Sequence, residues 1–324
     1  MKRVIFILTI LIAGAALTGC GSRFEKSETQ EFSPSAEGKS KIRIENVNGE
    51  VKVFKTEEDK IRIIAKMTTR VRRRDLDKPI KDISINIDES GNEIIVQTDM
   101  HDVKDGFTIS FGNKRSVDYI VYVPARFEVN INNVSGNVEA RDIEGDVNID
   151  LVNGNINLDN ISGAITTELI NGNTSCEIYS TKGITFSTIN GKITLKCPED
   201  LNAKIYADVS NGKVVTDELE FTNSYKEKDH LSGNLGDGAA DIRLETINGR
   251  ITLGRIENKL TSSAGDKSKE EVYMLMKENY EKAKSEMEKA EEEFKKAEEE
   301  YLKGKDSIQS MPRDSVKTDS VKTL

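Results

Sequence analysis

Residues 133–195 read NVSGNVEARDIEGDVNIDLVNGNINLDNISGAITTELINGNTSCEIYSTKGITFSTINGKITL, with a glycine every nine residues from Gly136 to Gly172 and again at Gly183 and Gly191. An apolar residue stands two positions before most of these glycines, and apolar or small residues stand two and four positions after them. Because side chains alternate between the faces of a strand, these three positions share one face. The stretch therefore predicts short strands with one inward stripe, separated by corners such as Asp159-Asn160.

The corners decide how these strands are connected. The predicted inward residues before the glycines are Val134, Ile143, Val152, Ile161, Ile170 and Ile189. Asn-Gly pairs suggest a hairpin meander, but a two-residue hairpin would turn Val152 and Asn155 to the same side, which contradicts the apolar pattern. Since Asn-Gly occurs at every second glycine, the full repeat is about eighteen residues with two different edges. We predict a mostly-β fold, a two-sheet β-solenoid with one coil for each pair of units.

The amino terminus resembles a lipoprotein signal. Lys2 and Arg3 precede an apolar run, and Leu17-Thr18-Gly19-Cys20 resembles the lipobox of bacterial lipoproteins. The alternatives are a plain secretory signal and a short membrane anchor, for which the run is short. The resemblance implies cleavage before Cys20 and acylation of this cysteine, including palmitate, which places the protein on a membrane of the cell envelope. Gly21 and Ser22 follow in place of an aspartate, which favours the outer membrane if the host has two membranes.

The chain divides into five predicted segments. They are a signal peptide (1–19), lipidated Cys20 with a flexible tether (20–40), the β-solenoid domain (41–262), a C-terminal heptad-patterned α-helix (268–304) and a disordered tail (305–324). Strands between Ile61 and Val123 are predicted to cap one end of the solenoid, because an uncapped stack exposes a pairing edge. The polar insertion from Glu218 to Asp237 is predicted to be a surface loop.

Two features resemble a known family of bacterial envelope proteins, the putative-adhesin repeat family. They are the Asn-Gly repeats and the segment Tyr119-Ile120-Val121-Tyr122-Val123-Pro124, which is similar to the strand and proline that precede the family's repeat array. The resemblance covers residues 41–256. It implies an envelope domain of Gly-centred β-repeats, and a function in adhesion follows by analogy only.

The heptad segment predicts a helix through which the protein associates with a partner. Large residues such as Met287 and Phe294 alternate with alanines along one seam, with Glu and Lys elsewhere. A helix of about 36 residues is ~54 Å long, whereas six or seven coils stack to only ~30 Å. We therefore predict self-association of two or more chains, with docking on the solenoid and a different envelope protein as alternatives.

The residue inventory argues against catalysis and against a nucleic-acid partner. The net charge is −9, and the histidines are His101 and His230 alone. We predict no catalytic, cofactor-binding or metal-binding residues. Calcium would need a regular aspartate at each corner, whereas Asn137, Asn155 and Asn173 stand there, which favours hydrogen-bonded Asn ladders.

Two charged clusters and one pair of cysteines are further candidates for a functional or structural role. The acidic residues Glu139, Asp142, Glu144, Asp146 and Asp150 are either exposed corner charges or a cation site. The basic residues Arg70, Arg72, Arg73 and Arg74 are either a solvated loop or a contact for anionic lipid or polysaccharide. Stacking of Gly172 on Gly191 would place Cys176 opposite Leu195, too far from Cys197 for a disulfide, so we predict two buried free thiols.

The sequence thus predicts a lipid-anchored envelope protein with a non-catalytic binding, adhesion or scaffolding domain. Its partners would be the membrane, through the lipid anchor, and an envelope protein or glycan. The alternative is an enzyme that acts on envelope polysaccharide, which would need convergent carboxylates and aromatic platforms on an outer face.

Overall fold

The computed structural model describes residues 23–76, 78–100 and 115–256, which all lie in the first of the chain's two compact units. This part of the chain is almost entirely β-structure, with one 3-10 turn at Arg73–Asp75. In chain order the strands are β1 (Arg23–Phe32), β2 (Lys41–Asn48), β3 (Val51–Thr56), β4 (Arg62–Arg72), β5 (Ile83–Asp88), β6 (Glu93–Met100), β7 (Ser116–Pro124), β8 (Glu128–Ser135), β9 (Val138–Arg141), β10 (Val147–Asn153), β11 (Ile156–Asp159), β12 (Ala164–Asn171), β13 (Thr174–Glu177), β14 (Gly183–Cys197), β15 (Ala203–Asp217), β16 (Thr222–Lys226), β17 (His230–Leu235) and β18 (Ala240–Arg255). Cys20, the heptad segment 268–304 and the tail 305–324 lie outside the described residues.

The repeats stack as coils of eighteen residues, as the sequence predicts. β10 pairs in parallel with β12, so that Val147 lies opposite Ile165. β11 pairs in parallel with β13, so that Ile156 lies opposite Thr174. The earlier coils supply one strand to each of two stacks, whereas β14, β15 and β18 each run unbroken through a whole coil. All the strands therefore belong to one 18-stranded sheet rather than to the two predicted sheets, and their inward side chains form one hydrophobic core. The described domain is therefore a mostly-β, solenoid-like fold.

The coils do not stack in the order in which they follow along the chain. The first coil, β2 and β3, pairs with β8 and β9 on one side and with β6 and β7 on the other. The last coil, β18, lies between β14 and β15, where Leu244 faces Phe186 on one neighbour and Ala207 on the other. The last described strand in the sequence, β18, thus pairs with two strands that precede it in the chain, β14 and β15.

Antiparallel strands close both ends of the stack. At one end β4 pairs with β7, β1 with β4, and β5 with β6, which confirms the predicted cap. At the other end β17 pairs with β15, and β16 with β17. The prediction of a surface loop from Glu218 to Asp237 is therefore wrong. Leu231 and Leu235 of β17 are buried, so β17 extends the core, whereas β16 is an exposed edge strand.

Strand β1 (Arg23–Phe32) occupies about half of the predicted flexible tether, 20–40. Its sequence is polar because the side chains that turn inward are charged. Lys26 and Glu28 are 3.0 Å apart in a buried ion pair. Lys26 Nζ donates to the carbonyl of Lys78, and Glu28 accepts the N–H of Ile80 at 3.0 Å. Since these partners satisfy both charges, β1 packs on β4 without an apolar stripe.

Glycine is required at the Asn-Gly corners because successive corners touch backbone to backbone. A Cβ on Gly172 would lie 1.6 Å from the carbonyl oxygen of Gly154, and Gly172 has a positive φ of 143°. The asparagines beside these glycines form the predicted ladders, since Asn171 Nδ2 donates to Asn153 Oδ1 at 3.0 Å. The corners are therefore held by side-chain amides stacked coil upon coil.

Both described cysteines lie in the core. Cys176 is opposite Leu195, which confirms the predicted register, and the thiols of Cys176 and Cys197 are free and buried. Burial raises the pKa of Cys176 far above its usual range and that of Cys197 to about 12. Because the thiolate is the reactive form, neither cysteine is a nucleophile at neutral pH.

Candidate functional site: an apolar groove

A line of exposed aliphatic side chains runs along one outer edge of the coils. Each residue comes directly before the Asn-Gly or Ser-Gly corner of its coil, and the strand register places the residues opposite one another. We call this line the apolar ladder, which consists in stacking order of Val47, Val134, Val152, Ile170, Ile189 and Ile247. Val152 is half-buried, and the other five are 38% to 49% exposed.

The outward direction of the apolar ladder corrects a sequence prediction. Val134, Val152, Ile170 and Ile189 were predicted to point inward, together with Ile143 and Ile161. On β12, Leu169 is already buried, so alternation turns Ile170 outward just before the corner. Ile143 and Ile161 are buried as predicted. They follow Asp142 and Asn160, whose left-handed φ values of 58° and 53° turn the next residue inward.

The apolar ladder borders a groove with a volume of about 680 Å³, lined by the five ladder residues from Val47 to Ile189. Two residues before each of them, a polar side chain points to the same side of its strand. We call this second line the polar row, which consists of Glu45, Asn132, Asp150, Glu168 and Ser187. A molecule in the groove would meet an apolar surface on one side and an acidic one on the other.

The carboxylates of this row are uncompensated within the described residues. Glu45, Asp150 and Glu168 form no salt bridge or side-chain hydrogen bond there, although all three line the groove. Asp150 and Glu168 lie opposite each other on adjacent coils, where like charges repel. Farther along the stack, by contrast, Glu245 is paired with Arg243 at 2.9 Å. The groove therefore concentrates negative charge beside the apolar ladder.

Buried polar side chains fix one end of the groove. Thr98 donates to Asn46 Oδ1 at 3.1 Å, and its hydroxyl lies 2.7 Å from that of Tyr119. Burial raises the pKa of Tyr119 well above its usual range, so its hydroxyl stays protonated. The neighbouring Asn133 donates to the carbonyl of Gly49 at 3.0 Å, while its buried Oδ1 has no hydrogen-bond partner among the described residues. One acceptor among the groove-lining residues is thus left without a donor.

The acidic residues predicted as a cluster have different surroundings in the structure. Its members were Glu139, Asp142, Glu144, Asp146 and Asp150. Glu139 is paired with Arg141 at 2.6 Å, and Asp146 lies 3.7 Å from Lys182. Of the five, Asp150 alone lines the groove. Over the described ranges, no group of three or more acidic, histidine or cysteine side chains is arranged to hold a metal ion.

The remaining predicted candidates lie away from the groove. The side chains of Arg70, Arg72, Arg73 and Arg74 are exposed around the end of β4, and Arg74 is 3.7 Å from Asp75. His230 Nδ1 lies 3.3 Å from Asp208, and its ring meets that of Tyr206 edge-on at 5.0 Å. His101 and the predicted lipidation site, Cys20, lie outside the described residues. The groove itself was missed, although a Val or Ile directly before five of the six Asn-Gly pairs of the sequence is its signal.

Stacked coils with an open apolar groove along one edge define a solenoid-like β-domain. Residues 128–254 match the Toastrack DUF4097 family, which confirms the family resemblance predicted from the sequence. No curated protein matches the chain. Within the described ranges, no helix combines the length and the apolar character that crossing a membrane requires.

Three solved structures of low sequence identity are similar to the chain. A "putative cell adhesion protein" from Clostridium sporogenes is 12% identical with a TM-score of 0.38, and the match covers 71% of this chain and 100% of that one. A "putative adhesin" from Bacteroides fragilis is 12% identical with a TM-score of 0.29, covering 71% and 97%. Another from Parabacteroides merdae is 11% identical with a TM-score of 0.22, covering 71% and 96%.

Proposed function

We propose that the protein is a lipid-anchored cell-envelope protein whose β-solenoid is a non-catalytic binding module for adhesion or scaffolding. The observation that carries this proposal is the apolar ladder, a line of six aliphatic residues of which five are 38% to 49% exposed. Contiguous exposed apolar surface of this kind marks interaction sites. The lipobox ending in Cys20 supports an envelope location, with the outer membrane favoured by Gly21 and Ser22.

The groove offers contact surface rather than reacting groups. Covering its five ladder residues would contribute roughly 5 to 8 kcal/mol before the cost of association. The groove does hold titratable carboxylates, which general acid–base chemistry uses, but a polysaccharide-acting enzyme would also need aromatic platforms. Among the described residues that line the groove, none is aromatic. The groove therefore fits a binding site better than an enzyme active site.

The heptad segment 268–304 has a separate proposed role. Its seam of large residues and alanines supports association of two or more chains. Docking on the solenoid and binding to a different envelope protein remain the alternatives from the sequence.

The binding proposal is tested with the double substitution Ile170→Glu/Ile189→Glu. Two charges in the centre of the apolar ladder should weaken ligand binding at least ~10-fold, because a bound partner would have to desolvate them. The measurement is a screen of the chain from Gly21, which lacks the lipidation site, against envelope glycans and envelope proteins. Tyr179→Glu is the control, since Tyr179 is 55% exposed and does not line the groove. A ligand that both variants retain equally would contradict the proposed site.

The anchor proposal is tested with Cys20→Ser. Wild-type protein should incorporate a labelled palmitate analogue and enter the detergent phase on phase partitioning, because acyl chains supply the membrane affinity. The variant should remain unlabelled and should leave the detergent phase once its signal segment is removed by proteolysis. Equal labelling of wild type and variant would rule out Cys20 as the lipidation site.

A further inference from the structure

The groove has a regular spacing that limits what fits it. Successive members of the apolar ladder lie on adjacent parallel strands, so the five groove members repeat every ~4.8 Å and span ~19 Å. An α-helix presents an apolar residue on one face at each turn of 5.4 Å, and about 13 residues cover that length. A helix laid along the stack axis would therefore place close to one apolar side chain over each coil.

An extended segment fits this surface less well. Same-face residues of a strand are ~6.6 Å apart, which loses register with coils spaced ~4.8 Å apart. A strand also binds by adding to a free sheet edge, whereas β10 and β12 are already paired on both sides. The geometry therefore favours a helix whose side chains, rather than its backbone, make the contacts.

The charge of the groove indicates the chemistry of that helix. Glu45, Asp150 and Glu168 are uncompensated within the described residues, so basic side chains beside the helix's apolar stripe would neutralise them. The chain's own segment 268–304 is a poor match, because its glutamates outnumber its lysines.

We propose that the occupant of the groove is a basic amphipathic α-helix of a partner protein. Its apolar stripe lies on the apolar ladder, and lysine or arginine side chains along one flank meet Glu45, Asp150 and Glu168. The inference rests on the proposed function, since it names the partner class of the same groove.

The test uses two synthetic helical peptides of about 18 residues with the same leucine stripe, one flanked by lysines and the other by glutamates. Binding to the chain from Gly21, which lacks the lipidation site, is measured by fluorescence anisotropy at low and at physiological salt. The lysine peptide should bind at least ~10-fold more tightly than the glutamate peptide and should weaken with salt. Ile170→Glu/Ile189→Glu should remove the binding, with the fold of the variant checked by circular dichroism.

Matched charge variants make the test specific. Glu45→Gln/Asp150→Asn/Glu168→Gln should weaken binding of the lysine peptide ~10-fold. The control triple variant Glu218→Gln/Asp217→Asn/Glu220→Gln removes the same number of exposed carboxylates outside the groove and should bind as wild type does. Equal binding of the two peptides, or equal loss in the two triple variants, overturns the inference.

Failure of the inference and failure of the proposed function are distinguishable. If neither peptide binds while Ile170→Glu/Ile189→Glu still abolishes capture of another envelope ligand, the occupant is not a basic helix and the binding module stands. If that variant retains every ligand that the wild type captures, the groove is not the binding site and both proposals fail.

Discussion

Gly172→Ala is expected to unfold the repeat domain under conditions where the wild-type protein is folded. The new Cβ would lie 1.6 Å from the carbonyl oxygen of Gly154 on the adjacent coil, at a φ of 143°. The backbone conformation alone costs alanine about 1 to 3 kcal/mol. The clash adds to this, because both partners are backbone atoms held by parallel pairing, so we expect a total loss of about 4 kcal/mol or more.

Gly254→Ala is the matched control for this prediction. Its Cβ would be 4.0 Å from the nearest atom, a carbon of the Lys196 side chain, which is ordinary van der Waals contact. The free energy of unfolding should change by less than ~0.5 kcal/mol. Thermal and denaturant unfolding followed by circular dichroism compare the two variants. A Gly172→Ala protein as stable as Gly254→Ala would show that the corners do not approach as closely as described.

Leu244→Asp is the second substitution with a large expected effect. Leu244 is fully buried in β18, between Phe186 of β14 and Ala207 of β15. A carboxylate there would be desolvated on both sides without a partner, so we expect a loss of about 4 kcal/mol or more. Glu245→Gln, at the next and outward-facing position, is the control and should cost less than ~1 kcal/mol, since it breaks a surface ion pair.

Hydrogen exchange tests whether β18 stabilises both β14 and β15. With β18 between β14 and β15, Leu244→Asp should remove amide protection from β14 and β15 as well as from β18. If the coils stacked in chain order, β18 would be terminal and would have one coil as its neighbour. Loss of protection confined to residues 240–255, with β14 still protected, would contradict the interleaved order.

The glycine spacing is sufficient to predict the coil. A nine-residue period with two alternating kinds of corner leaves few ways to keep apolar residues on one face, and the pairing of Val147 with Ile165 follows from it. The Asn ladders are predictable for the same reason, because the same residue recurs at the same corner. The predicted register of Cys176 opposite Leu195 also depends only on stacking one coil on the next.

The order of the coils is not predictable from that period. Every coil carries a similar inward stripe, so any stacking order satisfies the burial of apolar residues. A finer signal is the likeness of residues 188–195, TINGKITL, to residues 246–253, TINGRITL, which lie on adjacent coils. Stacking them places like residues opposite each other, including Asn248 and Asn190, whose amides are hydrogen-bonded at 2.9 Å.

The sequence pattern predicts neither the outward orientation of the apolar ladder nor the strand β1, and both failures have physical reasons. Whether the residue before a corner points in or out depends on the φ of one preceding residue, as Asp142 and Asn160 show. In β1 the inward positions hold Lys26 and Glu28, whose ion pair takes the place of apolar contacts. The candidate site therefore lies at the corners where strict alternation carries an apolar residue to the outside of the coil.

The most direct test of the groove as a binding surface places a photo-crosslinking amino acid at position 170 of the full-length chain in its native envelope. We predict a discrete adduct from position 170 that disappears when Ile189→Glu is also present. We predict no such adduct from position 179, which is more exposed (55% against 41%) but lies outside the groove. The absence of an adduct at position 170, or the same adduct from both positions, would contradict the account.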